Sequence, residues 1–225
     1  MSEFVSVVFS WDMLFAIWET FYITVMATAF AVLLGLPLGV LLVAGEKGGV
    51  LPLPGWLMQL LNLIVNLLRS VPFLILMILV FPLSRLIVGT AVGTNATIVP
   101  LVVAAFPFIA RLVETCLRDV DPGVIEAAQS MGATPFQIIW KVMLPESLPG
   151  LVSNATTALT TILGYSAMSG AIGGGGLGKV AISYGYYRYQ LDIMIVAVVL
   201  LIVMVQCFQT AGTRLTARCD KRLSR

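Results

Sequence analysis

The chain has 225 residues, of which 59% are hydrophobic and 11% are charged. Because a soluble domain carries about 25% charged residues, this composition excludes a water-soluble protein and indicates an integral membrane protein. The net charge of +2 does not favour a nucleic-acid partner. The chain has no histidine, and the spacing of its cysteines (Cys116, Cys207 and Cys219) matches no metal-binding or redox motif.

Hydrophobic stretches recur along the chain, and a helix needs about 20 apolar residues to cross a bilayer. We predict an all-α integral membrane protein, a single domain over residues 1–225 with five transmembrane helices. The expected spans cover residues 20–45, 70–84, 96–114, 148–168 and 192–212. Residues 35–39 (GLPLG) should kink the first span. An interfacial helix to about Leu68 should precede the second span, with Pro72 in that span's first turn.

Lysine and arginine are divided unequally between the two sides of these spans. One side receives ten of the 13: Lys47, Arg69, Arg111, Arg118, Lys141, Arg214, Arg218, Lys221, Arg222 and Arg225. The other side receives Arg85, Lys179 and Arg188. Since cytoplasmic loops are rich in these residues, we expect the N-terminus outside and the C-terminus in the cytoplasm. The first segment has no basic residue and is not expected to be a cleaved signal peptide.

The segment GAIGGGGLGKV (residues 170–180) contains G-x-x-x-x-G-K and G-x-G-x-x-G spacings, which occur in nucleotide-binding loops. A P-loop needs Ser or Thr after the lysine, and Val180 stands there. It also follows a strand, whereas a membrane helix is expected here. We therefore interpret the glycines as a tight outer loop that needs positive φ angles and close backbone packing.

A loop of about 25 residues (121–145) between the third and fourth spans predicts two short helices. Asp121 can cap the first, with Pro122 at its first position, and Gly132 can end it after Met131. Thr134 can cap the second, which should run to about Leu144, where Pro145 interrupts it. An amphipathic hairpin lying on lipid would need a strongly basic face, but Lys141 is the only cation between Asp121 and Glu146. A cytosolic protein partner is the preferred interpretation.

Six positions of this loop resemble the EAA signature E-A-A-x3-G-x9-I-x-L-P of ABC importer permeases, with Val142 in place of the usual isoleucine. The matching residues are Glu126, Ala127, Ala128, Gly132, Leu144 and Pro145. LRSVPF (residues 68–73) is similar to amino-acid permeases of this superfamily. From about Arg69 to Tyr187 the chain resembles methionine importer permeases.

The resemblance implies a type I ABC importer permease fold in a bacterial inner membrane, with the 121–145 loop as coupling loop. It also implies a second copy of this chain, two cytosolic ATPase subunits and an external substrate-binding lipoprotein, which together import L- and D-methionine. ATP and magnesium would be bound by the ATPase, so this chain would need no cofactor and would not be an enzyme. The residues expected to couple to the ATPase are Glu126, Ala127, Ala128, Gly132, Pro135, Leu144 and Pro145.

No charged residue is expected in the middle of a span, which argues against a proton-coupled carrier. Tyr165 and Met168, three residues apart at the outer end of the fourth span, are the candidates for a gate or a substrate contact. The threonines of that span (Thr156, Thr157, Thr160 and Thr161) are expected to serve helix packing. Three alternatives remain: a permease for another small amino acid, a secondary carrier, and an intramembrane enzyme based on Ser169, which would lack a histidine base.

Overall fold

The computed structural model describes residues 11–220, and the regular structure within them is helical. Ten α-helices follow in order: α1 Trp11–Ala44, α2 Gly55–Ser70, α3 Phe73–Val88, α4 Thr94–Arg118, α5 Pro122–Ser130, α6 Pro135–Ile138, α7 Leu144–Glu146, α8 Leu148–Ser169, α9 Gly176–Val180 and α10 Leu191–Cys219. The segments Ile139–Met143 and Ala181–Tyr186 are π-helical, and Gly170–Ile172 forms a 3-10 turn. The all-α prediction is confirmed for these residues. Lys221, Arg222 and Arg225, which contributed to the predicted orientation, lie outside them.

Three helices of the described chain are long and apolar enough to cross a membrane: α1, α4 and α10. The pair α2 and α3, bent by 113° at the break between them, would add a fourth crossing if it forms one span. α8 has 22 residues but carries serine, threonine and asparagine along its length. The count of five spans therefore stays a prediction.

The break between α2 and α3 follows from Pro72. The residue before a proline is pushed out of helical geometry, and Val71 accordingly has φ −81° and ψ 128°. Pro72 itself is extended, with φ −56° and ψ 136°, and α3 begins only at Phe73. The prediction that Pro72 lies in the first turn of the helix is thus wrong by one position.

α1 begins nine residues before the expected start of the first span and continues through Pro37 without a break. Its glycines lie against α4: a Cβ atom at Gly35 would lie 2.8 Å from the carbonyl oxygen of Phe106, and one at Gly39 would lie 2.6 Å from that of Ala110. Glycine here lets two backbones approach closely. The GLPLG segment thus serves contact between α1 and α4, and a kink within it stays a prediction.

Charged residues lie inside the longer helices as the structure bounds them, and the expectation that none falls in the middle of a span stays a prediction. Glu19 falls two turns into α1, and Arg111 and Glu114 fall inside α4. Glu19 was expected just outside the first span, and because α1 begins before it, where that span begins stays a prediction. Glu114 is only 8% exposed, so its charge must be compensated within the protein.

The core is formed mainly by α1, α4 and α8, and it extends into the helical hairpin of residues 121–146, which comprises α5, α6, the π-helical segment Ile139–Met143 and α7. Its buried members are Ile23, Ala27, Ala31, Leu101, Ala105, Ile109, Val113, Leu117, Ala128, Ile138, Met143, Ala158 and Ile162. Many are alanines, because small residues allow membrane helices to pack closely. The hairpin is therefore continuous with the helical body and is not a loose loop.

Candidate functional site

The 121–146 hairpin folds by the local rules that its sequence indicates. The Asp121 carboxylate accepts a hydrogen bond of 2.8 Å from the Gly123 N–H at the start of α5. Gly132 has φ +80°, a conformation that favours glycine, directly after α5 ends. Thr134 accepts from the Gln137 N–H while the Gln137 side chain accepts from the Thr134 N–H at 2.9 Å. This capping box starts α6 and confirms the predicted cap at Thr134.

The second helical arm does not end at Pro145, contrary to prediction. Residues Ile139–Met143 are π-helical, and the Leu144 N–H bonds to the carbonyl of Ile139, five residues back. The wider turn continues into α7, which contains Pro145 and reaches Glu146. A single π-helical turn of this kind is often found at functional sites.

The predicted coupling residues differ in accessibility. Glu126, Ala127, Gly132, Pro135 and Pro145 are exposed, and Leu144 is half-buried. Ala128 is 5% exposed and packs in the core that also holds Ile138 and Met143. Its side chain therefore joins α5 to the rest of the chain and presents no surface to a partner.

An exposed apolar face on the hairpin was not predicted from the sequence. It consists of Met131, Phe136 and Trp140, which are 81%, 72% and 61% exposed. The rings of Phe136 and Trp140 stack with centroids 6.3 Å apart and an interplanar angle of 4°. Their spacing of four residues, which places side chains on one helix face, is the sequence signal that could have revealed them.

The two helices that flank the hairpin, α4 and α8, are joined to each other by side-chain contacts. The Asn154 side chain on α8 donates to the Leu112 carbonyl (3.0 Å) and to the Cys116 sulfur (2.9 Å) on α4. Gly150 leaves room for that sulfur, because a Cβ atom there would lie 2.8 Å from it. A displacement of the hairpin would consequently move α4 and α8 together.

Side chains of α1 accept hydrogen bonds from the backbone of the glycine segment (residues 170–180). The Gly176 N–H donates to Glu19 of α1 at 2.8 Å, and the Leu177 N–H donates to Thr20 at 2.8 Å. The Thr94 hydroxyl at the start of α4 also donates to Glu19. These amides are the groups that a phosphate would need in a nucleotide-binding loop. Oxygens of Glu19 and Thr20 already accept hydrogen bonds from these amides, which supports the rejection of both nucleotide-binding motifs.

The predicted need for positive φ angles and close packing in this segment is confirmed. Gly173 has φ +95° and Gly176 has φ +80°. A Cβ atom at Gly178 would lie 2.5 Å from the Cα of Ala167, and one at Gly174 would lie 2.5 Å from the Ser169 hydroxyl. The segment is therefore packed against the end of α8, backbone to backbone.

Replacing Glu19 by alanine should lower the stability of the fold. The Gly176 N–H and the Thr94 hydroxyl would lose their acceptor, at a cost of about 1–3 kcal/mol for a buried unsatisfied group. The measurement is the thermal unfolding midpoint of the detergent-solubilised protein. Glu19→Gln, which keeps one carbonyl oxygen, should lie between wild type and Glu19→Ala. An unchanged midpoint for Glu19→Ala would contradict the role of Glu19 as an anchor.

The two pathway candidates lie near this segment at the end of α8. The Tyr165 ring is half-buried and stacks on Phe73 of α3, with centroids 4.5 Å apart and an interplanar angle of 7°. Met168 is 51% exposed. The hydroxyls of Thr156, Thr157, Thr160 and Thr161 bond to carbonyls of their own helix, and Gly212 of α10 lies directly against Thr156. The four hydroxyls are thus satisfied within the helix, and Thr156 also packs against α10, whereas a packing role for the other three stays a prediction.

Within residues 11–220, the apolar helices and the capped hairpin agree with the resemblance to transport permeases. The family model described as binding-protein-dependent transport system inner membrane component matches residues 31–225, and the chain belongs to that family.

Individual relatives narrow this further. The chain is 53% identical, over 93% of each sequence, to the protein of Vibrio cholerae serotype O1 named probable D-methionine transport system permease protein MetI. It is 47% identical to the protein of the same name in Pasteurella multocida, over 91% of this chain and 94% of that one. A chain from the structure of inward-facing MetNI methionine ABC transporter matches with a TM-score of 0.91 at 45% identity, covering 94% of this chain and 97% of that chain.

The protein is thus a multi-pass component of an inner-membrane transport system with the type I ABC importer permease fold. It is a transport subunit and not an enzyme. The Ser169 hydroxyl, considered as a nucleophile, is fully buried and donates to the carbonyl of Ser166 at 2.6 Å. The family assignment also rules out the alternative of a secondary carrier.

Proposed function

We propose that this chain is the permease subunit of an ATP-driven importer of L- and D-methionine. Two copies would form the translocation path, together with two cytosolic ATPase subunits that bind ATP and magnesium and an external substrate-binding lipoprotein. The observation that carries the proposal is the rigid 121–146 hairpin, which exposes Glu126, Ala127 and an apolar face while being packed into the helical core. The names of the relatives support methionine as the substrate.

The proposed orientation has the N-terminus outside and the C-terminus in the cytoplasm, with α8 as a further span. α8 can lie in a bilayer because the hydroxyls of its threonines already bond to carbonyls of the helix. It also contributes Ala158 and Ile162 to the core shared with α1 and α4. In this orientation Lys47, Arg118 and Lys141 fall on the cytoplasmic side, and the glycine segment falls outside.

The coupling mechanism follows from how the hairpin is held. The exposed Glu126 and Ala127 and the face of Met131, Phe136 and Trp140 would dock on the ATPase. Closure of the ATPase pair would displace the hairpin, and the bonds between Asn154 and α4 would carry α4 and α8 along as one body. Packed interfaces of this kind switch between discrete arrangements, which an alternating-access importer requires.

The test of this function uses the chain co-expressed with its ATPase and reconstituted in proteoliposomes with the binding protein. The expected results are co-purification of the ATPase and ATP-dependent uptake of radiolabelled L-methionine that excess D-methionine reduces. Purification of the chain without an ATPase would overturn the importer assignment. ATP-dependent uptake of a different small amino acid, with no methionine uptake, would overturn only the substrate.

Replacing Met168 by alanine should change the kinetics of methionine uptake. Met168 is exposed at the end of α8, one turn from the Tyr165–Phe73 stack, where a flexible thioether can contact an apolar substrate side chain. The measurement is the concentration dependence of uptake in the same proteoliposomes. Ile202→Ala, at an exposed apolar position on α10, serves as the control. If Met168→Ala gave wild-type kinetics, Met168 would be removed from the pathway.

A further inference from the structure

A cavity of about 310 Å³ lies between the end of α2 and the second half of α4. Its lining residues are Arg69, Phe108, Arg111, Leu112, Glu114, Thr115 and Arg118. The volume is at the lower end of the range found for small-molecule sites, about 300–1,000 Å³. Three arginines and an aromatic ring around one opening are an unusual lining for a helix bundle in a membrane.

Two of the arginines are held in place by neighbouring groups. Arg111 donates to Glu114 at 2.6 Å and to the side-chain oxygens of Asn62 and Asn66 of α2 at 2.8 and 2.9 Å. Arg118 donates to Glu114 at 3.0 Å and also to Glu46, which follows α1. Their positive charges are therefore balanced by two carboxylates.

Arg69 differs from both. Its side chain is exposed, and within residues 11–220 the ion pairs of this region involve Arg111 and Arg118 but not Arg69. The three guanidinium groups carry three positive charges, and the carboxylates of Glu46 and Glu114 balance two of them. One positive charge therefore remains. The cavity is thus fixed on one side by paired arginines and carries one arginine free to bind a monovalent anionic group.

The cavity extends into the thickness of the membrane in the proposed orientation. Arg118 is the last residue of α4, and Phe108 lies ten residues further in, which is about 15 Å along a helix. A charged side chain at such depth faces a water-filled passage or the interior of the bundle, because hydrocarbon does not solvate it. Arg69 and Arg118 lie in the last turns of α2 and α4, so in the proposed orientation the opening lies toward the cytoplasmic ends of both helices.

We propose that this cavity binds the transported amino acid on its way to the cytosol, and that Arg69 is the residue that binds its carboxylate. A guanidinium binds a carboxylate through two parallel hydrogen bonds. Phe108 and Leu112 would contact the thioether side chain, since sulfur packs favourably against an aromatic ring. The inference rests on the proposed function and adds to it an inner substrate site within the permease.

The experiment uses a diazirine analogue of methionine that keeps the carboxylate, applied to the permease–ATPase complex in phosphatidylcholine nanodiscs. Peptide mass spectrometry then locates the photo-adducts. We expect adducts on α4 near Phe108 and Leu112, and we expect Arg69→Gln to reduce them about tenfold or more, as for loss of a charge-assisted hydrogen bond. Arg69→Lys should retain part of the labelling. Arg85→Gln, at an exposed arginine of α3, should leave it unchanged.

Competition by unlabelled ligands tests the same point on the wild-type complex, even if Arg69→Gln does not assemble. Methionine should suppress the adducts, and methioninamide, which lacks the carboxylate, should not. Equal suppression by both compounds, or α4 labelling unaffected by Arg69→Gln, would overturn the inference. Loss of the adducts when phosphatidylglycerol replaces phosphatidylcholine would assign the cavity to a lipid phosphate and overturn it too. Normal ATP-driven methionine uptake alongside any of these results would leave the proposed function intact.

Discussion

Replacing Gly178 by alanine will destabilise the fold strongly, by about 3 kcal/mol or more, which is the upper range for overpacking a closed site. The added Cβ atom would lie 2.5 Å from the Cα of Ala167 and would also meet the carbonyl of that residue. Both are backbone atoms of α8, and no rotamer change can relieve the contact. Gly178 is itself buried, so the segment cannot move outward without separating Leu177 from the core it shares with Met13 and Val196.

Gly164→Ala provides the matched control for this prediction. Gly164 lies in the same α8 helix, but a Cβ atom there would meet nothing within 4 Å. Alanine at this position should stabilise the helix by about 0.5–1 kcal/mol through its higher helix propensity. Thermal unfolding of the solubilised proteins should therefore rank Gly178→Ala well below wild type and Gly164→Ala at or above it. Equal midpoints for the two variants would contradict the close packing of the glycine segment on α8.

Sequence reasoning succeeded where the physical cause lies within a few residues. The caps at Asp121 and Thr134 depend on backbone groups two or three positions away, the stop at Gly132 depends on that glycine's own conformation, and the structure has all three. The prediction that Pro145 would interrupt the second helix of the hairpin was wrong. A π-helical turn before it accommodates the missing N–H, and nothing in the local sequence indicates such a turn.

The contacts that sequence reasoning missed join distant parts of the chain. Glu19 and Gly176 are 157 positions apart, and Arg111 and Asn62 are 49 apart. The sequence showed that residues 170–180 need unusual backbone angles, but it could not show which helix supplies the carboxylate that anchors them. For the same reason the charge of Glu19 set the predicted start of the first span, when it in fact lies inside a longer helix bound to the glycine segment.

Replacing Gly132 by valine should uncouple transport while leaving the helical body folded. Gly132 has φ +80°, and a Cβ atom there would meet nothing within 4 Å, so the cost is backbone strain and not a clash. A β-branched residue in this conformation costs about 1–3 kcal/mol, and the turn between α5 and α6 would relax to another angle. Because the exposed face of Met131, Phe136 and Trp140 lies around this turn, its position relative to Glu126 would change.

The measurement is ATP-dependent methionine uptake in vesicles whose complex composition has been verified. We expect uptake or ATPase association to fall about tenfold, since 1.4 kcal/mol corresponds to a factor of ten in an equilibrium constant. Gly132→Asn is the control, because asparagine tolerates the left-handed conformation and should retain most activity. Glu126→Lys, which reverses the exposed charge without straining the backbone, should also weaken ATPase association. If Gly132→Val and Glu126→Lys both showed normal assembly and normal uptake, the 121–146 hairpin would not be the element that couples the ATPase to the membrane helices.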